Sequence, residues 1–315
     1  MLGQAIFESI DVIRRNPRKI VRALTPRGVR TFLEIAGAPH HYDRKSRSPI
    51  SGPPPHRPRP LFVESPKRIR PEDCYWYHVM NLPRFGPTPG EWDIRENFNA
   101  YVGNVPLAGR TVLDVGTASG FLSFSAESAG ACEVVSFDID TGDRQHLLPF
   151  KDSLYCRDHA AWAEERTAFF QAWKNAYWVA HRALRSRARA LYGDIYRLPP
   201  ELGTFDVVIC CAVLEHLSDP IRAIASIARH AADHLVLGVW IPDLGFQGPI
   251  AWFLGEADKP QNDSVFWAYS LPVYRHVLTM LGFEIESTLT ADFKFREKPM
   301  TRTAIVAKRV SPHPV

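Results

Sequence analysis

An α/β chain built on an open, largely parallel sheet is predicted from three stretches of this 315-residue sequence. The first, Thr111-Val-Leu-Asp-Val-Gly-Thr-Ala-Ser-Gly-Phe-Leu-Ser-Phe, reads as an apolar strand, a tight glycine turn and the start of a helix. The second, Glu133-Val-Val-Ser-Phe-Asp138, is a strand ending in a carboxylate. The third, Phe205-Asp-Val-Val-Ile-Cys-Cys, is apolar without alternation, as a strand buried on both faces of a parallel sheet requires.

The turn carries the first functional expectation. Gly116 lets the chain leave the strand sharply and lets a ligand approach bare backbone, while Gly120 keeps the helix start close. Asp138 stands 22 residues beyond Gly116, where the second strand ends, and a carboxylate there can accept both hydroxyls of a ribose. An adenosine-containing ligand is expected. A dinucleotide site needs G-x-G-x-x-G to seat a pyrophosphate. Here the pattern is Asp114-x-Gly116-x-x-x-Gly120, with Ala118 between the glycines and no glycine at 121 or 122. The alternative, a packing turn without a ligand, leaves Asp138 unexplained.

The remaining elements follow in chain order. Residues 141–190 form a helical insert. Leu191-Tyr-Gly-Asp194-Ile195 is a strand leading into an acidic turn. Beyond the Phe205 strand, Leu214-Glu-His-Leu passes through Ser218-Asp-Pro220, a helix-start signal, into an amphipathic helix near 220–231. Ala231 to Trp240 supplies a fifth strand. Gly245 to Ser270, containing Trp252, Asn262 and Trp267, is rich in loop. A helix from Leu271 stops at Gly282, and Phe283–Leu289 with Thr303–Arg309 forms a closing antiparallel hairpin, joined by a long charged loop from Asp292.

In this order the motifs resemble those of the class I S-adenosylmethionine (SAM) methyltransferases, whose first motif is acidic-x-Gly-x-Gly-x-Gly. The resemblance covers roughly residues 72–308. It implies a Rossmann-like, seven-stranded methyltransferase sheet with an antiparallel C-terminal hairpin, SAM as cofactor and S-adenosylhomocysteine (SAH) as product. It places Asp114 near the methionine end and Asp194 near the adenine amino group. Gly116, Thr117, Ala118, Gly120, Asp138, Ile139, Ile195, Cys211 and Ala212 complete the expected cofactor contacts. Trp76-Tyr-His78-Val-Met-Asn-Leu-Pro, Gly86-Pro-Thr-Pro-Gly-Glu-Trp92-Asp and Leu214-x-His216-x-x-Asp-Pro220 look more narrowly like the group containing the tRNA wobble-uridine (5-oxyacetyl-type) methyltransferase relatives. That group also has a non-glycine residue where this chain has Ala118, and a helical insert. The acceptor does not carry over, because one fold hosts many acceptors. A carboxy-SAM cofactor is conceivable by the same analogy, although no basic constellation identifies it.

Methyl transfer from a sulfonium asks chiefly for alignment, with a base only where the acceptor is a hydroxyl or protonated amine. His216, after the fourth strand, is the leading base, with His78 second. Glu215 either orients His216 or faces the cofactor, and the pair has an alternative reading as a loop cap. Some quinone O-methyltransferases hold a metal through Glu-x-x-Glu-His here; Ala212 occupies the first acidic position, so no metal is expected. The aromatic run Tyr75, Trp76, Tyr77, His78, Phe85 and Trp92 reads as a lid that excludes water or as a seal on the sheet edge. Tyr77, Trp92, Tyr177, His181 and Trp267 are the expected acceptor contacts. Arg182, Arg185, Arg187 and Arg189 suit a solvated face.

The expected organisation is a basic helical arm and Pro-rich linker over 1–70, the aromatic lid over 71–105, the SAM-dependent domain over 106–308 and a tail over 309–315. Residues 1–70 carry 15 Lys/Arg against five Asp/Glu, a net of +10, while the remainder carries −6. Such an arm suits RNA, an anionic lipid surface or a phosphorylated substrate, or else packs one apolar face on the domain. No apolar run reaches the roughly 20 residues that cross a bilayer, and five cysteines without metal spacing fit a cytoplasmic protein. Methylation of an oxygen or nitrogen on a small molecule or sugar is the expected function. A tRNA-modifying enzyme and a non-catalytic SAM-binding protein are the alternatives.

Overall fold

The structure, a computed structural model, describes residues 61–243, 247–255 and 265–312. The chain separates into Met1–Pro60 and Leu61–Val315, and the described residues all belong to the second unit. The basic arm and Pro-rich linker up to residue 60, Asn262 and the last three residues of the tail lie outside the described residues.

Three two-residue strands, β1 (Asn81–Leu82), β2 (Gly86–Pro87) and β3 (Trp92–Asp93), and helix α1 (Phe98–Tyr101) precede the core. The core then runs β4 (Thr111–Val115), α2 (Phe121–Ser128), β5 (Glu133–Ile139), α3 (Leu154–Arg157), α4 (His159–Leu184) and β6 (Arg189–Gly193). It continues through β7 (Phe205–Cys211), α5 (Pro220–Ala228), β8 (Ala231–Val239), β9 (Ala251–Phe253), β10 (Trp267–Tyr269), α6 (Leu271–Met280), β11 (Phe283–Phe295) and β12 (Lys298–Arg309).

The main sheet has the order β3-β11-β12-β8-β7-β4-β5-β6. Strands β4 to β8 are mutually parallel; β11, β12 and β3 are antiparallel to their neighbours. These are the seven expected strands, with β3 from the aromatic segment added as an eighth. The central strands are apolar because both faces are covered: Val112, Leu113, Val115, Val207, Val208, Ile209, Leu235 and Leu237 are buried. Register is pinned at the amino edge by Asp206, whose carboxylate accepts from the Thr111 backbone N–H (2.8 Å) and hydroxyl (2.9 Å). Those bonds hold the Asp206 carboxyl below its usual range.

Helix α5 begins as its sequence dictates. Asp219 accepts from Arg222 N at 3.1 Å, and Pro220 occupies the first turn, where its missing N–H costs nothing. It ends at Ala228, short of the expected 231, because β8 starts at Ala231. In the insert, Asp158 caps the 26-residue α4, which buries Trp162, Phe170, Tyr177 and Trp178. Ahead of the lid, Val63 N bonds Ala190 O at 2.8 Å, and the Arg189 guanidinium lies 4.0 Å over the Phe62 ring.

One expectation is corrected. The segment after Asp292 is no long loop. Beyond a register shift between Ile285 and Ser287, strands β11 and β12 pair up to Phe295 and Lys298, and Arg296 and Glu297 turn the chain with φ of 47° and 65°. Charge misled the reading: Lys294 and Lys298 sit on an exposed ladder, while Phe293, Phe295 and Met300 are buried.

Candidate active site

The winding reverses at β4, which has β5 on one side and β7 on the other, so a crevice opens at the carboxyl ends of these strands. The glycine turn lies there. Gly116 and Gly120 have φ of +83° and +94°, values that side chains rarely adopt. A Cβ on Gly116 would strike the Val213 side chain, and one on Gly120 would meet the Tyr177 ring at 2.7 Å. Close packing against the loop after β7 therefore fills the space expected at Gly116 for a ligand. Ala118 adopts φ of +47° without being glycine, as does Ala212 after β7 with +54°. Each such alanine costs about 1–2 kcal/mol.

Below the turn, Asp114 is wholly buried. A hydroxyl chain converges on it: Tyr177 donates to Ser136 (2.9 Å), Ser136 to Ser123 (2.6 Å), and Ser123 to Asp114 Oδ2 (2.7 Å). Asp114 Oδ1 has no hydrogen-bond partner among the described residues. Burial pushes the Asp114 carboxyl up to about 6, against the bonds from Ser123 and Thr117 and helped by repulsion from Asp138.

Asp138 ends β5 and ties the turn to it. Its Oδ2 accepts from Ala118 N (2.6 Å) and its Oδ1 from Ile139 N (2.7 Å). Burial raises its carboxyl, opposed by those two bonds and by Lys174. Lys174 comes from α4, is buried, donates to Asp140 O at 2.5 Å and lies 4.7 Å over the Tyr192 ring. Beyond β6, Asp194 accepts from Tyr196 N at 2.9 Å, and its Oδ2 lies 3.1 Å from His146 Nε2. Ile139 is half-buried and Ile195 buried beside these carboxylates. Asp114, Asp138 and Asp194 thus stand on three adjacent strand ends.

The other half of the crevice is aromatic. The aromatic segment is bound to the turn, His78 N donating to Ser119 Oγ at 3.0 Å, and to the β11–β12 hairpin through Arg296 and Glu91. Tyr75 donates to that same Glu91 at 2.5 Å. His78 is buried with its ring against Phe121, and burial lowers its imidazole to about 3, so it is neutral and weakly basic. His216 is half-buried in a single 3-10 turn, Leu214–His216. Cys211 is buried at the end of β7, burial pushing its thiol up. Tyr77 is half-buried, edge-on to the His78 ring and tilted against Trp173. Trp267 donates from Nε1 to Ser218 O at 3.0 Å, close to the Glu215 turn.

Two expected acceptor contacts belong elsewhere. Tyr177 is fully buried beneath the glycine turn and serves the hydroxyl chain. His181 lies 3.0 Å from Ala188 O, next to the start of β6, at the edge of the sheet opposite the crevice. Helix α4 is long enough to cross the sheet, and its aromatics divide along it.

Sequence reasoning missed Arg302. This β12 residue sits beside Thr303, which is opposite Val239 at the carboxyl end of β8. Its Nη2 lies 3.0 Å from Glu215 Oε1, and its guanidinium 5.3 Å from the centre of Trp92. A charged residue just ahead of the apolar run Ala304–Ala307 gives no sign of inward direction. Ser119, Ser123 and Ser136 were equally silent, as hydroxyls fit any small-residue position.

Residues 91–288 match a family described as the methyltransferase domain, well over half of the chain. The chain belongs to the methyltransferase-domain family. An uncharacterized protein of Synechococcus sp. is 27% identical over 236 residues, covering 71% of this chain and 46% of its own length, so the chain spans about half of that relative. Among solved structures, magnesium protoporphyrin IX methyltransferase of Synechocystis PCC 6803 with bound SAH is 20% identical over 69% of this chain and 81% of its own, with a TM-score of 0.42. The 1,6-didemethyltoxoflavin-N1-methyltransferase of Burkholderia thailandensis is 13% identical over 69% and 78%, with a TM-score of 0.41. A putative RNA methyltransferase of Pyrococcus horikoshii is 13% identical over 68% and 80%, with 0.42. Likenesses this distant do not choose among acceptors.

The domain is a SAM-dependent methyltransferase domain, and the residues suit that cofactor. The orphan Oδ1 of Asp114 needs a cationic or neutral donor, as the methionine ammonium provides. Asp138 uses one lone pair of each oxygen on backbone, leaving one on each for a ribose.

Proposed function

We propose that this methyltransferase acts on an oxygen or nitrogen of a small-molecule or sugar acceptor. The observation that supports the reading is the attachment of the aromatic segment to Ser119 on the glycine turn and to Arg296 in the β11–β12 turn; as a lid over the crevice beside β7, this segment suits a compact acceptor. SAM supplies an electrophilic methyl group on a sulfonium that is already a good leaving group. In this reading Asp114 holds the methionine ammonium and Asp138 the ribose. Asp194 with Ile195 positions the adenine. Gly116, Thr117, Ala118, Gly120 and Ile139 on one side, with Cys211 and Ala212 on the other, shape the cleft. His216 takes the proton of an acceptor hydroxyl, and His78, held neutral, hydrogen-bonds without carrying charge. Tyr77, Trp92 and Trp267 orient the acceptor and exclude water. The functional boundaries are the lid at 71–105 and the catalytic domain at 106–308, with 1–70 as an accessory arm and 309–315 as a tail.

The +10 charge of residues 1–70 supports a second reading, a tRNA-modifying enzyme of the wobble-uridine type. No helix among the described residues is long and apolar enough to cross a membrane. The five cysteines are free, Cys210 and Cys211 buried, which favours a reducing cytoplasm. One assay separates the readings: incubate the full chain with methyl-labelled SAM and a source-cell extract divided into RNA and low-mass fractions. Label in the low-mass fraction is expected. Label in RNA selects the second reading, and no label at all, with SAM bound, marks a non-catalytic binder.

A further inference from the structure

Glu215 and Arg302 form a buried charge pair that leaves its own hydrogen bonding incomplete. Their side chains are 10% and 8% exposed. At 3.0 Å the contact is an ion pair, yet neither Glu215 oxygen nor Arg302 Nε has a hydrogen-bond partner among the described residues. A buried pair is retained cheaply only where its remaining lone pairs and protons are satisfied. Topology puts the orphans on one side of the crevice. Glu215 follows the carboxyl end of β7, and Arg302 flanks the carboxyl end of β8, on the opposite side of β4 from Asp138 and Asp194. Aromatic groups surround the pair: Trp92 under the guanidinium, with Tyr77, Tyr101 and Tyr274 within electrostatic reach of both charges.

The geometry points to Glu215 and Arg302 as the recognition couple for the methyl acceptor, taking a neutral ring that carries neighbouring oxygens, at least one of them a hydroxyl. The hydroxyl donates to Glu215, and the adjacent oxygen accepts from Arg302 Nε. Charge selects the class. The pair sums to zero, so a phosphate or carboxylate would face Glu215 and an ammonium would face Arg302. The aromatic walls favour a flat or ring-shaped body. This inference rests on the small-molecule reading above, and the class has two sources, a phenolic ring and a sugar.

The test uses the full chain saturated with SAH, titrated calorimetrically with catechol and with methyl β-D-glucopyranoside. Veratrole and the permethylated glucoside, which lack the hydroxyl donors, serve as controls. Binding of one hydroxylated probe is expected, with its ether at least about tenfold weaker, a difference of about 1.4 kcal/mol. Glu215→Gln and Arg302→Met should each weaken that probe by a similar factor, Arg302→Lys recovering part of it. Their SAH affinity should stay near wild type, while the melting temperature falls because each variant leaves the partner's charge buried and unpaired; the ether controls on the wild-type chain do not depend on that loss. Failure of both probes to bind, or binding that Glu215→Gln leaves unchanged, overturns the couple while SAH binding leaves the methyltransferase reading intact. Loss of SAH binding by the wild-type chain overturns the reading beneath it.

Discussion

The two halves of the crevice are built in opposite ways. On the β4–β5–β6 side, three carboxylates stand on consecutive strand ends and are bonded to backbone or hydroxyls of their own neighbourhood. On the β7–β8–β12 side, the groups come from distant places in the chain: Tyr77 and Trp92 from the lid, Glu215 from a turn, Arg302 from the last strand. The first half is assembled locally, and of its three carboxylates only Asp114 leaves a buried oxygen, Oδ1, without a hydrogen-bond partner among the described residues. The second is assembled globally and leaves Glu215 and Arg302 Nε unsatisfied. In the proposed reading, the first arrangement serves the cofactor and the second the acceptor.

That contrast can be broken first at Asp138. Removing it as Asp138→Ala deletes the proposed ribose acceptor and also frees Ala118 N. Charged hydrogen bonds of this kind are worth about 1.5–3 kcal/mol, so SAM affinity measured by calorimetry should fall roughly ten- to a hundredfold. Undiminished affinity would remove the ribose assignment.

Asp114 should show a trade between binding and stability. Its carboxyl is raised to about 6, so the folded, ligand-free protein takes up a proton that the unfolded chain does not. The sign follows: this group favours folding below the unfolded carboxyl range and loses that contribution as pH rises through about 6. Ionised Asp114 is therefore a burden to the ligand-free fold at pH 7.5. Asp114→Asn should raise ligand-free stability there, by an amount on the order of 1–3 kcal/mol in denaturant melts.

Tyr177→Phe opens the hydroxyl chain at its far end and leaves Ser136 without that donor. A stability loss of about 1 kcal/mol is expected, with SAM affinity falling by a smaller factor than for Asp138→Ala. An effect on acceptor specificity instead would restore Tyr177 to the acceptor side. The smallest effect belongs to Ala118→Gly. Relieving a left-handed alanine should raise the melting temperature by an amount worth about 1 kcal/mol at most; a decrease would mean that the methyl group packs better than its strain costs.

Legibility followed the same division. The glycine turn, Asp138 and Asp194 were readable because each lies within a few residues of the strand that presents it, so spacing encodes geometry. The seven-stranded order was readable because buried parallel strands are apolar throughout. The inward direction of Arg302 was not, since it depends on the pairing of β12 with β8 and on Glu215, 87 residues away in sequence. Tyr177 and His181 were read as acceptor contacts because a helix of 26 residues shows which residues it holds without showing which edge of the sheet each one reaches.

In the proposed function, Asp114, buried and incompletely bonded, holds the cationic end of SAM. Calorimetry of SAM against the wild-type chain and Asp114→Asn, from pH 7.5 down to 5, tests it most directly. Wild-type affinity is expected to weaken progressively as pH falls through about 6, whereas Asp114→Asn should bind more weakly at pH 7.5 and lack that transition. Equal affinity of the two proteins at pH 7.5, with no pH dependence in either, would contradict it.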